Sequence, residues 1–376
     1  MLLWTSALAR AAEPFRFPEG KRGKGELKYV NEIPVLILAG TPEEIGEQMG
    51  VLAVRPALPG VAVLKDVIKE ARVDRLMPLL VNFGTTQLAK YPDEYRREFE
   101  AIATFGGIDR ELLLVANTFA ELRHLAGCSG LIIDPARSAT GGTLIGRNFD
   151  FPAVDGLHQY MLLVVYRPIG KTPFATISFP GAVAGGSVIS GMNADGVMIG
   201  GNEIRASADD APQVEWQNAP TAVVGRRILE ECATLADAEA LLRATRPSQR
   251  IALVACDRAG GAVFEVTPKS LVVRRGENGV CAGTNHFLSK ELGVPFDCWR
   301  LPRLLAAAQL DKLTVEAVAN KVDEVNQGPR TAHTLVFDAK SLKLHLAFGD
   351  GKRSATSFAL KEIDLAALFL AGLREQ

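Results

Sequence analysis

Residues 125–152 read LAGCSGLIIDPARSATGGTLIGRNFDFP, and the fold turns on how this stretch is taken. Before it, apolar residues recur at helical spacing in VAVLKDVIKEARVDRLMPLLVNFGTTQLAKY, YRREFEAIATFGG and DRELLLVANTFAELRHLAG. After it come short β-branched runs bounded by Gly, Pro or Asn-Ala-Asp-Gly turns, such as YMLLVVYRP, FATISFPG and GSVISGMNADGVMIGGNEI. The stretch itself divides into two strand-like runs around the turn-forming PARSATGG. A hairpin symmetric about residue 139 sets Cys128 opposite Asp150, on one face of the sheet.

Working outward, IPVLILAG is a strand, and TPEEIGEQMGVLAVRPALPG opens a helix with Thr41 as N-cap, Pro42 at N1 and two acids in the first turn. A helical segment (APTAVVGRRILEECATLADAEALLRATRP) follows the first group of strands. Two more strand runs, helical runs over 297–309 and 314–326, and a last hairpin (AHTLVFDAKSLKLHLAFG) complete the order. Strands in two groups with helices between them indicate an α+β chain: a four-layer αββα sandwich of two antiparallel sheets, after a mainly helical N-terminal segment.

Bulk properties narrow the function. The chain has 376 residues, 48% hydrophobic and 23% charged, with a net charge of −1, which gives no general pull toward nucleic acid or anionic membranes. No run approaches the roughly 20 apolar residues of a membrane span, so a soluble protein is expected. The charges Lys21, Arg22 and Lys24 read as a solvated tail. MLLWTSALARAAEPF ends like a secretory cleavage site but lacks a basic leader. The compartment is therefore open: cytoplasmic is favoured, exported if residues 1–12 are a clipped signal.

Five cysteines, at 128, 232, 256, 281 and 298, are odd in number and form no CxxC, and the histidines show no metal spacing. Neither a disulfide framework nor a metal site is expected, and no cofactor. Cys232 and Cys256 sit in apolar runs and read as core filler. Cys128 has Arg147 and Asp150 for company. A guanidinium beside a thiol favours the thiolate, although strict alternation puts Arg147 on the opposite face unless the strand is bulged. No histidine close by in sequence is an obvious general base. Were the Gly127–Cys128 bond cut, the α-amine of Cys128 could take the thiol proton, with Asp150 to orient it. Gly127 would let the backbone twist for that attack. Asn202 and Asn285, each ending a strand, are candidate oxyanion donors, with the glycines before Asn202 admitting a substrate. Arg300 could hold a substrate carboxylate or brace Asn285.

At these residues the chain resembles the N-terminal nucleophile (Ntn) cysteine hydrolases of the penicillin acyltransferase type, and more distantly acid ceramidase and choloylglycine hydrolase. The resemblance lies in GTPEEIGEQMG, GCSG, GRNFDF, MNADGVMIGGNEI and TNHF, spread over residues 35–350. One departure is Met49-Gly50, where the family often has His-Gly. The resemblance implies self-cleavage into a small chain, 1–127, and a catalytic αββα core, 128–376, which associate as one globular unit. It also implies attack on a small-molecule, non-peptide acyl amide, ending in hydrolysis or acyl transfer. Carried over residue by residue, Cys128 is the nucleophile, Arg147 steadies the thiolate, Asp150 binds the α-amine, Asn202 and Asn285 serve the oxyanion, and Arg300 contacts substrate. Two other readings stand beside this one: a catalytically silent binding protein on the same fold, and an uncleaved Cys-His-Asn peptidase using His286. Homo-oligomerisation is left open.

Overall fold

Alternating apolar residues along each strand decide the layers, because successive side chains point to opposite faces. In the computed structural model, residues 15–60, 74–122, 127–151 and 156–370 are described. The signal question at residues 1–12 falls outside them, as does His124. The larger sheet runs β1 (Gly20–Arg22), β2 (Gly25–Val30), β3 (Ile33–Gly40), β6 (Leu162–Pro168), β7 (Phe174–Ser178), β8 (Gly191–Asn193), β9 (Met198–Glu203), β10 (Ile251–Asp257), β11 (Gly260–Val266) and β12 (Leu271–Arg275). The smaller runs β13 (Val280–Gly283), β4 (Gly127–Ile133), β5 (Leu144–Asp150), β14 (Thr331–Asp338), β15 (Lys343–Phe348) and β16 (Lys361–Asp364). Pairing is antiparallel except between β3 and β6, which run parallel.

The inner faces of the two sheets meet in one apolar layer. Ile132, Ile145, Leu335 and Phe337 of the smaller sheet pack there with Leu163, Val165, Ile177 and Val254 of the larger. The other face of the larger sheet, with Leu36, Val164 and Leu253, is covered by helices α1 (Pro42–Met49), α3 (Asp93–Gly106) and α6 (Thr221–Glu231), α2 being Met77–Leu88, α4 Arg110–Leu122 and α5 Gly185–Ser190. The other face of the smaller sheet, with Leu131, Ile133 and Val336, lies under α8 (Arg300–Leu305) and α9 (Val315–Asp323), α7 being Leu235–Thr245. This is the αββα order expected from the grouping of strands. Each fully buried Leu or Ile contributes about 1.5–3 kcal/mol, so three such layers outweigh any local preference.

Helix α1 begins as its sequence dictates: Thr41 and Glu44 form a capping box, with Pro42 behind the cap. Its glycine serves packing, since a β-carbon on Gly46 would sit 2.4 Å from the Glu98 carbonyl of α3. Lys21 and Arg22 do not belong to a free tail, because β1 and β2 form a hairpin at the edge of the larger sheet and Arg22 pairs with Glu47. Charged residues suit an edge strand, which must not invite a further strand to pair. The apolar C-terminal run supplies α10 (Leu365–Leu370), whose Leu365, Leu368 and Phe369 pack into the inter-sheet core. Beneath α3, Arg226 of α6 is buried between Glu98, at 2.7 Å, and Glu230, at 2.8 Å. Among the described residues no helix is long and apolar enough to cross a membrane.

Candidate active site

The β4–β5 hairpin forms, but one residue out of the expected register. Cys128 pairs with Phe149, and Gly127 with Asp150. The cause is the demand of the two faces. Ile132 must meet Ile145 between the sheets, while Ile133 meets Leu144 beneath the outer helices. A slip by one would exchange both faces. This register has a chemical consequence. Gly130 pairs with Arg147, so Arg147 stands diagonally across from Cys128 on the same inner face, with no bulge needed. Asp150 turns to the outer face, over Gly127.

Arg147 is fully buried, and the groups that hold it are neutral. Nε donates to the Ile189 carbonyl, at 2.9 Å, and to Ser190 Oγ, at 3.0 Å. Nη1 donates to Asn202 Oδ1, at 2.7 Å, and Nη2 to the Gly201 carbonyl, at 2.6 Å. Ser190 Oγ lies 2.9 Å from His333 Nε2, and burial together with Arg147 pushes His333 well below its usual range, so that ring is neutral. Of the glycines before Asn202, Gly200 makes room for Arg147, and Gly201 for Ile251 and the Val188 carbonyl. A β-carbon on Gly200 would stand 2.6 Å from Arg147 Cδ and Nε. Gly200→Ala is therefore expected to displace the guanidinium and cost about 1–3 kcal/mol of stability through overpacking. Denaturant unfolding checks this, and an unchanged midpoint would show that Arg147 is not so confined.

The charge of Arg147 favours the Cys128 thiolate. Burial nevertheless pushes the thiol up to about 11, outweighing the guanidinium, with Asp150 and Glu203 adding to the rise. The thiol of the continuous chain is protonated at neutral pH. Its backbone is held on both sides. The Cys128 N–H donates to Asn285 Oδ1 at 2.8 Å, and its carbonyl accepts from Arg300 Nη1 at 2.7 Å. Arg300 Nη2 also donates to Asn285 Oδ1, at 2.8 Å, so the arginine braces the asparagine. The acceptor of Asn285 faces Cys128, while its Nδ2 donates to the Glu203 carbonyl, at 3.0 Å. Asn202 has the opposite orientation: Oδ1 is taken by Arg147, and the buried Nδ2 has no partner among the described residues.

Asp150 is buried and accepts from Thr331 Oγ1 and from Gln327 Nε2, each at 2.6 Å, with Arg300 Nη1 at 3.8 Å. A bulge makes this possible. Thr331 pairs with Asp150 and His333 with Phe149, so Ala332 is the extra residue, and Thr331 turns to the outer face while His333 turns inward. Burial pushes Asp150 up to about 6, against the pull of Thr331, Arg300 and Gln327.

Cys128, Arg147, Asp150, Asn202, Asn285 and Arg300 are thus gathered around one strand end. Sequence reasoning missed Ser190, Gln327, Thr331 and His333. Only the turn-rich NQGPRT, directly before a strand, hinted at any of them. His286 is engaged elsewhere: Nδ1 lies 2.8 Å from Thr284 Oγ1, and against the opposing effect of burial its ring, with Thr284 and the backbone of Leu301 and Arg300, lowers the Cys298 thiol to about 6. Cys232, Cys256 and Cys281 are buried and pushed up by that burial. Among the described residues no group of three or more His, Cys, Asp or Glu side chains could hold a metal ion.

Residues 137–299 match the family model described as acyl-coenzyme A:6-aminopenicillanic acid acyl-transferase. The matched stretch contains Arg147, Asp150, Asn202 and Asn285 and stops short of Cys128 and Arg300. No curated protein matches the chain. Among solved structures, a mutant conjugated bile acid hydrolase from Clostridium perfringens is 13% identical, covering 63% of this chain and 92% of its own, with a TM-score of 0.45. The Caenorhabditis elegans ortholog of N-acylethanolamine-hydrolyzing acid amidase is 15% identical over 56% of this chain and 93% of its own, at 0.44. Penicillin V acylase from Agrobacterium tumefaciens is 14% identical over 65% and 93%, at 0.42.

Proposed function

We propose that this chain, which matches the penicillin acyltransferase family model over residues 137–299, is a self-processed cysteine amidohydrolase or acyltransferase acting on small non-peptide acyl amides. The observation that carries the reading is a buried guanidinium, held by neutral acceptors, on the same sheet face as the thiol of the second residue of β4. Burying such a charge costs several kcal/mol unless anions answer it, and the Cys128 thiolate, ahead of the Asp150 carboxylate, is the anion that acts on it most.

Processing starts when Cys128 Sγ attacks the Gly127 carbonyl carbon. The C–N bond breaks, a thioester forms, and the thiol proton passes to the departing α-amine. Water then adds hydroxide to the carbonyl carbon and returns a proton to sulfur, and the Gly127 carboxylic acid so formed loses its proton to solvent, which leaves a carboxylate and a free N-terminal Cys128. In the mature enzyme that amine takes the thiol proton. Asn285 Oδ1 accepts from it, and the Arg300 and Asp150 charges set its basicity from either side. The thiolate attacks the acyl carbon of the substrate, the amine proton goes to the leaving nitrogen, and water or an acceptor amine takes the acyl group. The unpartnered Nδ2 of Asn202 is the donor left for the oxyanion, and Asn285 serves the amine rather than the oxyanion. A buried donor without a partner costs about 1–3 kcal/mol, and a use in the transition state accounts for keeping one.

The test is intact mass of the purified protein, followed by turnover of N-acyl amino acids, lactams and N-acyl amines. Two pieces divided before Cys128, with amide turnover, are expected. A single chain without amide turnover would leave the silent binding protein. The pH dependence is specific. Asp150 is ionised above about 6, and its charge favours the proton on the departing α-amine, so the processing rate should rise with pH through about 6, and Asp150→Asn should lose that inflection. The sign for stability is opposite: a carboxyl raised from 3.8 to about 6 weakens the fold as pH climbs between those values, by on the order of 3 kcal/mol.

A further inference from the structure

Gln327 and Thr331 take no part in the chemistry above, yet both hold Asp150. Gln327 lies in the turn between α9 and β14, where Gly328, at φ 62°, has its N–H on Asn326 Oδ1 at 2.9 Å. The Gln327 N–H donates to Thr331 Oγ1 at 2.8 Å, and that hydroxyl donates to Asp150 Oδ1. The side-chain amide of Gln327 then reaches Asp150 Oδ2 by passing over Gly127. A β-carbon on Gly127 would stand 2.6 Å from Gln327 Nε2 and 3.3 Å from its Cδ and Oε1. The Gln327 amide therefore fills the space that any side chain at position 127 needs, and its bond to Asp150 keeps it there.

We infer that Gln327 is a positioning residue for processing that admits only glycine before Cys128. A methyl group at 127 would have to push the Gln327 amide off Asp150, or move the scissile carbonyl away from Cys128 Sγ. The glycine of the Gly-Cys junction is then required by its neighbour across the hairpin, and not only by the backbone twist of the attack. This inference rests on the reading that the chain is cut before Cys128.

Four chains are compared by intact mass over time: the parent, Gly127→Ala, Gln327→Ala and the double variant. Gly127→Ala is expected to slow the cut roughly 10²-fold, the usual consequence of misplacing reacting atoms by about 1 Å. The double variant is expected to return to the rate of Gln327→Ala alone. Gln327→Ala should also move the pH inflection of processing upward, because it removes a hydrogen bond that favours the Asp150 carboxylate, a change that mere packing would not cause. Parent-like cutting by Gly127→Ala, or a double variant no faster than Gly127→Ala, overturns the inference. An uncut parent overturns the processing reading instead. The contact is then tested by melting in the Cys128→Ala background, where Gly127→Ala should lower the midpoint beside Gln327 but not beside an alanine there. Equal losses in both overturn it.

Discussion

Purified Cys128→Ala is expected to remain one chain of 40.4 kDa and to release no amine from any N-acyl amide that the parent cleaves. The substitution removes one atom from a buried site, so the variant should fold, with a loss of no more than about 1–2 kcal/mol from the small void left behind. What it cannot do is attack the Gly127 carbonyl. No other thiol can replace it: Cys232, Cys256 and Cys281 are buried with raised pKa values, and Cys298 is bound up with Thr284 and His286. Intact mass and an amine-release assay read the result. A Cys128→Ala preparation that is still cut before residue 128 would mean that another agent does the cutting. Residual turnover at the parent rate would remove the thiol from the chemistry.

The second large effect is expected at Asn202. Asn202→Ala should lower kcat roughly 10²–10³-fold with little change in KM, since an oxyanion donor acts on the transition state and not on the bound ground state. That variant also strips Arg147 of the Oδ1 acceptor at 2.7 Å, which confuses the two roles. Asn202→Asp separates them. The carboxylate still accepts from Arg147, but it has no N–H for an oxyanion. Equal losses in the two variants are expected. A kcat near normal in Asn202→Asp would assign the asparagine to Arg147 alone.

Much of this was legible in the chain. The change from helical to alternating spacing at Cys128 marked where the sheets begin, and turn residues bounded the strands well enough to give four layers. Cys128, Arg147 and Asp150 stood out because they are chemical groups in unusual company. The register of the hairpin was not legible. Its loop, PARSATGG, is rich in turn formers along its whole length, and a choice between 277 and 278 for the summed partner numbers depends on which side chains the rest of the fold can bury. Nor was the cradle of Arg147. Two of its acceptors are the carbonyls of Ile189 and Gly201, and a backbone carbonyl leaves no mark in a sequence. Gln327 stands 177 positions from the carboxylate it holds, beyond the reach of any spacing rule. The edge hairpin at Lys21 and Arg22 was misread because charge serves a solvated tail and an edge strand equally well.

The parallel seam between β3 and β6 has a thermodynamic consequence. Strand β3 precedes residue 128 and β6 follows it, and the Arg226 knot likewise ties Glu98 from one side of that point to Glu230 from the other. If the chain is divided there as proposed, the ten-stranded sheet becomes a heterodimer interface with no linker across it. Its unfolding changes molecularity, and dilution, which cannot touch a single polypeptide, begins to count against the native state.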